Sequence, residues 1–279
     1  MNHSYKKIIV PALLGTLFLG ACSDDASFEG EGKQQTYSLV VKGITTSGSD
    51  SSEELRDVSV FQFSDGNLYK TQQLTPESNG QSSISALSGS RLYFLTGVTL
   101  PVQEEGITEE EFRNMTIGEG LHNNSAPDFM AAIVELESTP QTRSNQEINV
   151  GMKRGVARID LNTTADSKTL IKEIIVKDAP AETYPFIEKA SASDKTVSYL
   201  KKFDPAFGGE QQGIFRIFES KRPVNIILRG TYNEIPISLK MQLPSIERNK
   251  VYELSVLNVG ATAVSYTHLR AHETKANLV

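Results

Sequence analysis

The sequence predicts a mainly β protein: two antiparallel β-sandwiches in tandem, with one short helix. Three observations carry this. Most apolar runs are short and alternate with polar residues. The stretches between them are short and rich in Gly, Asn, Asp and Ser. Only one segment carries a helix start signal. A chain of 279 residues suits two modest domains or one large β domain.

The elements follow in order. Tyr37, Leu39 and Val41 alternate with Ser38 and Val40, giving a first strand. Val58 to Phe63 is a second, and Ser64-Asp65-Gly66-Asn67 turns it into Leu68-Tyr69 as a hairpin. Arg91 to Thr96 and Ala131 to Leu136 are further strands. Thr108 caps a helix and Glu111 closes a capping box, with Phe112 and Met115 on one face. The Gly- and Asn-rich stretch 118–125 ends it. Residues 138–147 are polar, contain Pro140, and connect the two halves. Ala157, Ile159 and Leu161 then alternate with Arg158 and Asp160, and Leu170 to Lys177 is another strand. Ile214 to Phe218 follows Gly208-Gly209. Val224 to Tyr232 turns through Asn233-Glu234 into Ile235 to Met241, where Pro236 marks an edge strand because it has no N–H to donate. Val251 to Val256 follows the polar turn Glu247 to Lys250. The expected domains are 37–150 and 151–263, each a sandwich of transthyretin- or immunoglobulin-like build.

Both ends carry their own signals. Lys6 and Lys7 precede the twelve-residue apolar run Ile8 to Leu19, which is too short to span a bilayer and has the layout of a secretory signal, residues 1–21. Leu19-Gly20-Ala21-Cys22 resembles a bacterial lipobox, which implies acylation of Cys22, palmitate among the chains, and an outer-membrane lipoprotein anchored through lipid. Residues 22–36 read as a polar tether. Its Asp24-Asp25 pair resembles a surface-export signal, so the expected location is the cell surface or a fimbrium. At the other end, Val264 to Thr274 translates one frame of a transposon sequencing adapter, so residues 264–279 are expected to be an artefact and the native sequence to stop near Ala263. That reading removes His268 and His272 as metal ligands.

Composition excludes several classes. The net charge is −6, with 28 Lys and Arg against 34 Asp and Glu. An acidic chain without basic runs is a poor partner for nucleic acid. Between the signal and the adapter-like tail, His122 is the only histidine, and Cys22 is the only cysteine of the chain. No His/Cys metal set and no Cys–His dyad can be assembled from these, so no metal, no cofactor and no catalytic residue is expected. The carboxylates lie in solvated runs such as Glu109-Glu110-Glu111, and the chain is expected not to be an enzyme.

The ordered segments resemble the fimbrillin family, the subunits of type V pili. These are the lipobox, Tyr37 to Gly43, Leu55 to Leu68, Arg91 to Val98 before a helix, Met152 to Leu161, and Ile246 to Val256. The resemblance covers nearly all of 37–260 and rests on order and spacing. It implies assembly by β-augmentation: the first strand leaves after proteolysis and a neighbour's extension replaces it. Tyr37, Leu39 and Val41 would be the exchangeable strand's groove-facing side chains. One departure stands out, because Gly43 to Leu55 contains neither Arg nor Lys, leaving Lys42 and Arg56 as the nearest cleavage positions. The implied function is a structural, accessory or anchor subunit of a surface pilus with a role in cell adhesion. Its partners would be other pilus subunits, the outer membrane, and a host or glycan ligand. The alternative is a surface lipoprotein that binds glycans, although the chain has no Trp to offer.

Overall fold

Turn chemistry and alternation place most strands where the sequence puts them. In the computed structural model β1 (Gln34–Ile44) precedes β2 (Val58–Ser64) and β3 (Asn67–Leu74), which are joined by Asp65-Gly66. Both turn residues are left-handed, with φ of 50° and 76°, the geometry that matches the twist of a two-residue hairpin. β4 (Gln81–Leu87), β5 (Arg91–Thr96), α1 (Glu109–Arg113), β6 (Ile117–Gly118), β7 (Met130–Glu135) and β8 (Glu147–Arg154) follow. Then come β9 (Val156–Asn162), β10 (Thr169–Pro180), β11 (Glu182–Thr183), β12 (Thr196–Phe207), β13 (Glu210–Phe218), β14 (Val224–Tyr232), β15 (Ile235–Leu243), β16 (Val251–Leu257) and β17 (Tyr266–Ala271). The structure describes residues 34–44, 55, 57–102, 106–118, 125–138, 147–164, 168–186, 194–257 and 266–271. The signal, Cys22, the tether up to residue 33, Arg56, His122 and Pro140 lie outside them.

Seven strands form one sheet in the order β3-β2-β5-β7-β8-β1-β4. Its two ends approach each other: the Gln72 side-chain amide on β3 donates to the Ser85 carbonyl on β4 at 3.3 Å. Two four-stranded sheets, β12-β10-β14-β15 and β13-β9-β16-β17, meet over a shared core that includes Ile159, Ile174, Phe215, Ile226 and Leu254. Packing across two sheets with alternating inward residues is that of a sandwich. The described residues fall within one compact unit, Glu31–Val279.

Several expectations need correction. The sheets are mixed rather than antiparallel throughout, because β1 runs parallel to β8 and β9 parallel to β16. Parallel neighbours need a long connection, and both pairs are far apart in sequence. The first strand starts at Gln34, inside the expected tether, because Gln34, Gln35 and Thr36 pair with Leu87, Ala86 and Ser85. The sequence reading also passed over β4 and β12. Ser82, Ser83 and Ser85 dilute the apolar signal of β4, and β12 buries only Tyr199. The expected junction at 150/151 falls inside β8, and the chain changes sheets at Gly155. Pro236 does lie on β15, the outermost strand of its sheet.

Residues 266–271, inside the stretch expected from the sequence to be an artefact, form β17, which pairs with β16 from Tyr252↔Ala271 to Leu257↔Tyr266. Ladder hydrogen bonds come from the backbone, so this pairing says nothing about the origin of the stretch.

The second hairpin turn, Asn233-Glu234, has φ of 46° and 69°. Asn tolerates this region, whereas Glu pays about 1 kcal/mol for it. Glu234→Gly is therefore expected to raise unfolding free energy by about 0.5–1 kcal/mol, read as a higher midpoint in urea.

α1 forms as its sequence dictates. The Thr108 hydroxyl accepts from the Glu111 N–H at 3.2 Å, and the Glu111 carboxylate accepts from the Thr108 N–H at 2.9 Å. The helix buries Phe112 among Phe61, Phe63 and Tyr93 on one face of the seven-stranded sheet. Phe186 reaches this cluster from the segment after β11, its ring 5.2 Å from Phe112 and 4.9 Å from Tyr93. The Tyr93 hydroxyl donates to Glu109, which also binds Arg91. Burial, then the hydrogen bond to Glu109, pushes the Tyr93 phenol up to about 12 from its ordinary 10. An acid whose folded pKa is raised binds its proton more tightly when folded. Its contribution is fully present below pH 10 and is lost as pH rises through about 12. Urea unfolding of the parent is expected to show a steeper loss of stability across that window than Tyr93→Phe does.

Candidate functional site

The feature with the clearest functional geometry is β1 and the slot that holds it. Its sequence alternates, so Tyr37, Leu39 and Val41 point one way while Ser38 and Val40 point the other. The structure brings the three inward residues together: they are 3%, 0% and 2% exposed and join one core cluster with Val58, Val60, Phe94 and Met152. Burial of the Tyr37 ring, and next the charge of Glu137, raises the Tyr37 phenol above its usual range.

Neighbours on both sides hold the backbone. β4 pairs antiparallel with residues 34 to 40 of β1, and β8 pairs parallel with residues 38 to 44. Leu39 is opposite Ser82 on one side and Ile148 on the other, and Val41 is opposite Val150. Beyond the β4 ladder, the Val41 N–H donates to the Gly80 carbonyl at 2.8 Å. Gly80 sits at φ 82°, and a Cβ there would fall 2.5 Å from the Val41 carbonyl oxygen. Glycine is what allows the turn before β4 to close on β1.

β8 depends on β1. It meets β7 only at Met130↔Arg154 and Ala131↔Lys153 among the described pairings, whereas β1 covers seven of its residues. Withdrawal of β1 would expose two strand edges, β4 and β8, and a floor of apolar side chains. That is the geometry to which an extended peptide adds as a strand. Refilling the slot with three inward side chains would regain roughly 1.5–3 kcal/mol for each.

The other predicted positions do not join this site as chemistry. Lys42 is exposed but its backbone is in register with Gly151, so a protease would meet it as part of a ladder. Cys22 and Arg56 lie outside the described residues. Sequence reasoning missed Gly80 and the partner strand β4. The only local signal was the spacing of Ile84 and Ala86, both buried in the same cluster as Tyr37, with Ile84 directly beside it in the ladder. Among the described residues no three His, Cys, Asp or Glu side chains gather as a metal set.

A scan against protein-family models returns no match. A search of curated proteins likewise returns none. Solved structures do match. The tip fimbrial protein Mfa3 from Porphyromonas gingivalis, in a C-terminally truncated form, superposes with a TM-score of 0.62 over 87% of this chain and 100% of that one, at 8% identity. A candidate cell adhesion protein from Bacteroides eggerthii gives 0.60 over 87% and 96%, at 13% identity. A fimbrial assembly protein from Parabacteroides distasonis gives 0.51 over 86% and 99%, at 12% identity. At these identities the likeness is one of fold.

Proposed function

We propose that this chain is a structural or accessory subunit of a surface pilus with a role in adhesion, joined to its neighbours by replacement of β1. The observation that carries the proposal is the seating of β1 between β4 and β8, with three side chains buried and both backbone edges paired. A strand so placed fills a groove that an identical or related strand can fill in turn. The shared fold with fimbrial and adhesion proteins supports the reading. Acylation at Cys22 would hold the subunit at the outer membrane before or instead of incorporation. Release of β1 would follow cleavage at Lys42 or Arg56, once the end of β1 leaves its ladder.

The test is direct. A protease site placed in residues 45–54 is cut, and a labelled peptide of the sequence Gln34 to Ile44 is added in excess. Uptake of the peptide with loss of the original strand is expected. A cut chain that keeps its own strand and never takes up the peptide, even at temperatures just below unfolding, would sink the proposal.

A further inference from the structure

Charge is divided unevenly along the chain. Residues 34–150 hold 6 Lys and Arg against 16 Asp and Glu, whereas residues 151–257 hold 17 against 13. The first half therefore stands at −10 and the second at +4. Among the described residues of the first half, Asp57, Asp65, Glu77, Glu110 and Glu147 are exposed, against the exposed lysines Lys42 and Lys70. In the second half the cations have a defined place. The sheet β12-β10-β14-β15 packs one face on its core, and the strand period leaves the other face to solvent. On that outer face Leu200, Ile175, Ile227 and Lys240 stand abreast across the four strands. Lys202, Glu173, Arg229 and Ser238 form the next row, in which Arg229 binds Glu173 at 2.7 Å. Lys177 flanks the apolar row on its other side, opposite Asn225. Leu200 is 37% exposed, and Ile175 and Ile227 are half-buried.

We propose that this face docks the acidic half of a second copy of the chain. The aliphatic row supplies a small desolvated centre, and the cations around it steer and orient the partner. The two surfaces differ, so the contact is heterologous: each copy offers one of each, and copies add in a single direction. Four strands about 4.8 Å apart, with nine residues at about 3.3 Å each in β14 and β15, give on the order of 500 Å² per partner, the size of a weak, reversible contact. The contact does not use β1 and stands whether or not that strand exchanges.

The test is sedimentation velocity of the full, uncut chain. Association is expected at about 0.02 M salt and is expected to be lost by about 0.5 M, where charges are screened over a few ångströms. Lys202→Glu combined with Lys240→Glu, both at exposed positions, is expected to weaken self-association by about tenfold or more, with an unchanged circular dichroism spectrum. That variant keeps its acidic half, so it still adds to one parent copy and stops growth there. An equal mixture is therefore expected to give shorter assemblies than the parent alone. Lys153→Glu combined with Lys221→Glu makes the same change in net charge away from this sheet, and is expected to alter association by less than about twofold. A chain that stays monomeric at low salt, association indifferent to salt, equal losses in the two double variants, or a mixture with no shortening overturns the proposal. Binding of phosphatidylglycerol vesicles by a chain that stays monomeric, lost in Lys202→Glu with Lys240→Glu, overturns it in favour of an anionic membrane.

Discussion

Leu39→Ala is expected to lower unfolding free energy by about 2–5 kcal/mol, whereas Val40→Ala, one residue on, costs under about 1 kcal/mol. The contrast follows from the pleat. Leu39 is fully buried in the cluster that also holds Tyr37, Val41 and Val150, and Val40 faces the other way and is half-buried. Equilibrium unfolding in urea measures both. The same pair of variants separates an exchangeable strand from a permanent strut. If β1 leaves as a unit, Leu39→Ala favours the open form, and every 1.4 kcal/mol lost from the slot raises its population about tenfold. Uptake of the β1 peptide after loop cleavage then speeds up in Leu39→Ala and barely changes in Val40→Ala. If β1 leaves only with global unfolding, uptake tracks the unfolded population of each variant and offers no shortcut below the transition. Gly80→Ala should act in the same direction as Leu39→Ala, because the added methyl would collide with the Val41 carbonyl.

Gly155→Ala is the second large effect, expected to cost about 3 kcal/mol or more. A Cβ at 155 would lie within the ring of Phe129, which is 1% exposed and packed with Phe61, Phe63 and Phe218. The Gly155 N–H also donates to the Phe129 carbonyl at 2.8 Å, so the backbone cannot simply retreat. This is the point where the chain passes from β8 into β9, and the same neighbourhood holds Arg154 and Arg216 on the carboxylate of Asp128. A double-mutant cycle tests the cause. With Phe129→Ala in the background, Gly155→Ala should become nearly neutral, giving a large favourable coupling between the two sites. Additive costs would show that the collision with the Phe129 ring is not the cause.

Much of this was legible in the sequence because it is encoded over a few residues. Asp65-Gly66 specifies a tight hairpin by φ preference alone, and Thr108 with Glu111 specifies a helix start by side-chain reach. The tertiary structure overrode the simplest form of that reading in β2 and β5. Both alternate in direction as expected, yet both faces are buried. Val58, Val60 and Phe94 face one cluster, while Phe61, Phe63 and Tyr93 face another built with α1 and Phe186. An apolar run flanked by turns reports burial but not how many layers cover it. The polar strands β4 and β12 were silent for the opposite reason: their outward residues are solvated, and the few inward ones, Ile84 and Tyr199 among them, are too sparse to show a period.

For the site, the sequence by itself determined which side chains of β1 go inward, because a strand has a period of two and Tyr37, Leu39 and Val41 occupy one phase of it. Only the tertiary structure decided that β1 lies between β4 and β8, antiparallel to one and parallel to the other, and that β8 leans on it. The physical reason is that strand partners are chosen through backbone hydrogen bonds, which are the same for every residue. Register comes from pockets assembled out of residues far away along the chain, and no local pattern carries that information.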